Sequence, residues 1–180
     1  MGQEMPVSHV AEMIATFRGQ KRLAERAIEQ LTDDQLRIAL DANTNSVAIM
    51  IKHVSGNMIS RWTDLLTSDG EKPGRDRDGE FVDTFQSREE ITQCWEVGWQ
   101  CLFDSLASLS DQDLMKTVAI RGEQSTVLWA ILRQVSHYGY HVGQIVLIAR
   151  VLAKDHWQVI TIPKGGSRQF NEQMSRKLAP

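Results

Sequence analysis

The chain has 180 residues, 42% of them hydrophobic, with 20 Lys and Arg against 23 Asp and Glu for a formal net charge of −3. That length is expected to fold as one domain, 1–180, with enough apolar residues for a core. The slight acidic balance argues against a nucleic-acid partner, no apolar run reaches the roughly 18 residues that span a bilayer, and Met1 to Pro6 lack the basic and apolar pattern of a signal peptide.

Four long stretches carry helical periodicity. The first runs from about Ser8, a suitable N-cap, to Leu31, with Ile14, Phe17, Ala24, Ile28 and Leu31 at near three- to four-residue steps. Thr32-Asp33-Asp34-Gln35 has the form of a capping box and predicts one further short turn. A second helix is expected from about Val47 to Leu66, capped by Asn45 or Ser46, with Val47, Met50, Val54, Met58, Trp62 and Leu65 on its apolar stripe. Ser68 to Gln86 reads as a loop, because Asp69-Gly70, Pro73-Gly74 and Asp78-Gly79 are turn dipeptides. A connection of that length is either functional or mobile.

The third helix opens on Ser87-Arg88-Glu89-Glu90, a full capping box, and continues through Leu109. In the connection that follows, Thr117-Val118-Ala119-Ile120 forms a brief extended piece before Arg121-Gly122. The fourth helix starts at Ser125 or Thr126 and runs to about Ala153. Beyond Lys154 the periodicity fades, and Pro163 and Gly165-Gly166 break any continuous helix, so an irregular tail over 155–180 is expected on a core of 8–154. Four amphipathic helices with one long connection predict an all-α four-helix bundle.

Cys94 and Cys101 are seven residues apart. On one helix their Cα atoms lie about 10.5 Å apart, too far for a disulfide. Reduced core cysteines are the expectation, which fits a cytoplasmic protein. The tryptophans Trp62, Trp95, Trp99, Trp129 and Trp157 are assigned mainly to the core. Trp99 falls near the edge of the third helix's stripe, where one bundle leaves it uncovered; this favours a homodimer through helix faces rather than through the tail. If the loop Ser68 to Gln86 covers it instead, the chain is a monomer.

Of five histidines, His137 and His141 share one face of the fourth helix, one turn apart. Zinc proteases use that spacing but place a glutamate directly after the first histidine; here Tyr138 stands there, so protease chemistry is excluded. About one shuffled sequence in ten with five histidines shows such a pair, so the pair alone is weak. His53 strengthens it, lying mid-helix beside Met50 and Val54, although a lone histidine there is as often a satisfied core residue as a ligand. Three imidazoles from facing helices match a metal site with one position open. His9 and His156 lie near the chain ends and are expected to be exposed.

Around these three, Asn57 and Gln144 are candidates for holding a ligand histidine or lining a pocket. Tyr138 and Tyr140 can offer a hydroxyl, although each is offset from the histidine face and packing is the plainer role. Nothing in sequence activates Cys94 or Cys101. Lys164-Gly165-Gly166-Ser167 can form a small anion nest but lacks phosphate-loop spacing.

The run Arg133 to Ile145, containing His137-Tyr138-Gly139-Tyr140-His141, resembles the last-helix signature of the DinB/YfiT superfamily. Ile51 to Met58 is similar to the motif that supplies that family's first histidine. Arg61-Trp62, Asp69 to Pro73 and the tail from Trp157 to Asn171 are similar to an uncharacterised subfamily. The resemblance implies an up-down-down-up bundle, a metal held by His53, His137 and His141 (nickel or zinc, with iron or manganese as alternatives) and often a homodimer. Its characterised members include thiol S-transferases and a thiol-dependent isomerase. The expected function is therefore a metal-dependent enzyme, a thiol S-transferase or hydrolase of small molecules; the alternative is a non-catalytic metal-binding or stress-related interaction bundle.

Overall fold

Each long helix of this chain begins at a hydroxyl. In the computed structural model, which describes residues 8–178, Ser8, Ser46, Ser87 and Thr126 each accept a hydrogen bond from the backbone N–H three residues on. That satisfies one of the donors a first helical turn leaves unpaired. The four open α1 (His9–Ile28), α3 (Val47–Trp62), α4 (Arg88–Ala107) and α5 (Val127–Ala153). Between the first two lies α2 (Asp33–Leu36), closed by the Thr32 and Gln35 capping box. At α4 the expected full box is replaced by a variant: Glu90 accepts from the N–H of Gln86, one residue before the cap.

The chain is mostly helical. α3 packs along α4 and α1 along α5, and α3–α5 and α1–α4 contacts join the four around a shared core. Phe17, Met58, Trp62, Trp99, Leu102, Tyr138 and Ile145 are fully buried there. A Cβ at Gly98 would overlap Ser55, so the bare glycine lets α3 and α4 approach closely. Among the described residues no helix is long and apolar enough to cross a membrane.

Several boundaries differ from expectation, each for a local reason. α3 ends at Trp62 rather than Leu66, because Thr63 is extended and Asp64 turns left-handed with φ 51°. The extended piece becomes β1 (Thr117–Ile120), paired antiparallel with β2 (Glu123–Thr126), so the chain expected to be all-α carries a small hairpin. Arg121 and Gly122 form its two-residue turn at φ 58° and 76°, the left-handed pair that suits right-twisted strands. Asp69 accepts from both of their N–H groups and from that of Glu71, pinning the α3–α4 loop to the hairpin.

The tail is not wholly irregular. Gln158 exchanges hydrogen bonds with Gln30, Arg26 donates to the Ile160 carbonyl, and Ile160 is buried. After Pro163 and Gly165-Gly166 a further helix forms, α6 (Ser167–Leu178). Those residues mark where the helix begins rather than forbidding one. Gly165 sits at φ 81° in an exposed turn, which is the structure of the supposed anion nest.

Two tryptophan expectations are also corrected. Trp99 is fully covered, stacked on Phe103 and set against Phe17 of α1 and Tyr138 of α5. A projection of one helix cannot show that its neighbours close over the edge. Trp129 instead is 49% exposed, one of five large apolar residues exposed on one side of α5, with Leu132, Tyr140, Leu147 and Val151.

Candidate metal centre

The i, i+4 spacing on α5 stacks His137 and His141 with ring centroids 4.8 Å apart and Nε2 atoms 3.2 Å apart. α3 brings in His53, whose ring lies 5.7 Å from His137 and 5.0 Å from His141. One ring nitrogen from each of the three fits within 4.8 Å of the others, a cluster that can hold a metal ion. His9 and His156 are exposed and outside the cluster, and His9 bonds Asp111 instead.

The hydrogen bonds around the rings set their orientation. His53 Nδ1 lies 2.9 Å from Glu80 Oε2, and His141 Nδ1 lies 2.9 Å from Gln144 Oε1. Both partners are acceptors, so each Nδ1 carries the proton and each Nε2 turns its lone pair inward. Burial first, then the charges on His141, His53, Arg133 and Arg75, push His137 down to about 3. Burial and His53 lower His141 too, against the raising effect of Gln144. Neutral imidazoles with inward lone pairs suit a cation; without one, His137 Nε2 donates to His141 Nε2 across 3.2 Å, since the His141 proton is on Nδ1. His137 Nδ1, buried without a partner among the described residues, is the one loose end of the cluster. The donor set thus fits a divalent ion bound by three histidines.

Sequence reasoning missed the residues that fasten His53. Glu80 sits in a 3-10 turn, Gly79–Phe81, inside the long loop; it is 6% exposed and grips Arg75 through both oxygens at 2.7 and 2.8 Å. Burial alone would raise the Glu80 carboxyl, but hydrogen bonds from His53 and Arg75 outweigh it and hold it below the ordinary range. Phe81 stacks on the His53 ring at 4.8 Å. A Cβ at Gly56 would overlap Glu80 Oε1, so that glycine makes room for the carboxylate against α3. Arg75 also faces Glu71, which pairs with Arg61 and Arg121. The signal in the sequence was the charge run at Arg75 in an unusually long loop; nothing there tied it to His53.

The other candidates divide: Gln144 touches a ring of the cluster, while Asn57 and Tyr138 bond to other side chains. Asn57 is buried and accepts from Gln134 and Tyr138, not from a histidine. Tyr138 is fully buried, donates to Asn57, accepts from Trp62, and its ring lies 5.5 Å from that of His137. Burial keeps its hydroxyl protonated, well above the ordinary tyrosine range. Gln144 holds His141, and exposed Tyr140 accepts from Gln144. Cys94 and Cys101 are free and half-buried, and burial raises the Cys94 thiol.

A helical chain with a partly buried histidine cluster able to hold a metal defines the class of protein. Residues 4–166 match the family described as "Protein of unknown function (DUF1572)", and the chain belongs to that family. No curated protein matches it.

Proposed function

We propose that this chain is a DinB/YfiT-like bundle in up-down-down-up order whose His53, His137 and His141 hold one divalent ion, nickel or zinc before iron or manganese. We read it as a metal-dependent enzyme, a thiol S-transferase or hydrolase acting on a small molecule in the cytoplasm. The observation that carries this is the convergence of three ring nitrogens within 4.8 Å, with two Nδ1 protons already committed outward. Such an ion, when bound, keeps its full charge among neutral ligands and activates a thiol or water as a nucleophile. The chain's own residues do the rest: Glu80 and Gln144 orient two of the rings, and Phe81 covers His53.

One observation favours the non-catalytic alternative. The carboxylate nearest the cluster, Glu80, is committed to His53 and Arg75 and cannot serve as a free base. Metal analysis of the purified protein, followed by a thiol-conjugation screen with and without chelator, separates the two. Chelator-sensitive turnover supports the enzyme; stoichiometric metal with no turnover supports sequestration; no metal uptake at all removes both.

A homodimer is part of this reading, now seated on the C-terminal half of α5, around the exposed Leu147 and Val151, rather than on Trp99. Leu147→Glu should convert it to monomer in light scattering. A wild-type mass of 20.4 kDa, that of one chain, overturns the dimer.

A further inference from the structure

Between the β1–β2 hairpin and the first turns of α5 lies a cavity of about 490 Å³. Two arginines line it, Arg121 and Arg133, against a single acid, Glu123. The arginines are not equivalent. Arg121 is paired with Glu71. Arg133 is half-buried, its one hydrogen bond runs to the neutral Gln134 Oε1, and among the described residues it has no carboxylate partner. The buried arginines nearby, Arg61 and Arg75, each have one.

A half-buried guanidinium without a counter-ion is poorly solvated, and its planar fork matches a carboxylate or phosphate. Arg133 also sits one helical turn before His137 and two before His141, on the same side of α5. One turn before Arg133 on the same helix the half-exposed Trp129 ring also lines the cavity, and Ser125 contributes a hydroxyl whose Oγ is buried and has no partner. The cavity thus combines an unpaired cation, a flat apolar face and a spare polar group, the make-up of a small-molecule site.

We infer that this cavity binds the carboxylate or phosphate end of a small anionic substrate through Arg133, which directs the rest of the molecule along α5 toward His137 and His141. The substrate class deepens the reading of the triad as a metal-dependent enzyme and rests on it. The same unpaired charge favours an anion over a neutral molecule of the same size.

The test uses the full, metal-loaded chain and follows the Trp129 indole N–H signal by NMR, identified through Trp129→Phe. Succinate, inorganic phosphate and neutral succinamide are titrated separately. One of the two anions should shift the signal saturably, which names the anionic group, and succinamide should not. Arg133→Gln should weaken that binding by about tenfold or more, Arg133→Lys should weaken it less, and both should keep the wild-type metal content. No saturable shift with either anion, equal binding of succinamide, or undiminished binding by Arg133→Gln overturns the inference. Metal content of the same samples reads the triad independently. A chain that holds metal but binds no anion defeats this inference alone; one that binds the anion but no metal defeats the metal reading alone.

Discussion

Two polar clusters lie one turn apart between α3 and α5, and they are built in opposite ways. In the first, Trp62 donates to Tyr138, Tyr138 donates to Asn57, and Gln134 reaches both. No fully buried polar atom of those four side chains lacks a partner. In the second, His53 and His141 are tied outward, while the inward nitrogens face one another and His137 Nδ1 has nothing. Buried polar groups are costly unless paired. A cluster that completes itself is therefore explained by the fold, and one that does not asks for something from outside. The same two helices thus hold, side by side, a layer that completes its own hydrogen bonds and one that could hold a metal ion.

Substitutions on each side test that division. The largest effect is expected for His137→Ala, which should abolish stoichiometric metal binding while circular dichroism shows the helices intact. The core is formed by other residues, unlike that of a zinc finger; loss of helicity would show that the triad carries the fold as well. Asn57→Ala should do the reverse. It leaves Tyr138 and Gln134 unpaired in the core, at a cost of about 2–3 kcal/mol, and lowers the melting temperature on the order of 5–10 °C. Its metal stoichiometry should be that of the wild type, and loss of metal would merge the two clusters into one.

Glu80→Gln sharpens the comparison within the metal centre. The ring of His53 keeps an acceptor but loses the charge behind it, so affinity in a competition assay should fall by about tenfold. An unchanged affinity would show that Glu80 only anchors the loop. The smallest effect is expected far from both clusters, at Asp111. Backbone N–H groups of Val10 and His9 hold its carboxyl at about 2, below the ordinary carboxylate value. A depressed folded-state value stabilises the fold above about pH 4 and ceases to do so as pH falls through 2. Asp111→Asn should therefore lower the melting temperature by a few degrees near pH 6, with the difference shrinking as pH falls toward 2 and vanishing only below it. A difference that persists in acid would assign it to packing.

How legible each part was follows from the range of the interaction. His137 and His141 declare themselves because helical period alone places them together, and His53 because it interrupts an apolar stripe on a facing helix. The long helices were equally visible through their caps and periodicity, to within a turn. Glu80 was not visible: it meets His53 across 27 residues of chain, and only the folding of the loop against Gly56 brings it there. Trp99 was misjudged for the same reason, since Phe17 and Tyr138 come from other helices. α6 was missed because its twelve residues are short, polar and preceded by residues that usually end helices.

The Asn57 layer has a consequence for alignment. Leucine-like side chains tolerate sliding of one helix along another, because any apolar neighbour serves. A one-turn slip of α5 against α3, about 5.4 Å, would strand Asn57, Gln134 and Tyr138 together in the core. These side chains therefore act as a detent, fixing the axial register of the two helices as a single buried asparagine does in a coiled coil. Because His53 lies one turn from Asn57 and His137 next to Tyr138, the register that the detent selects is also the one in which three imidazoles meet.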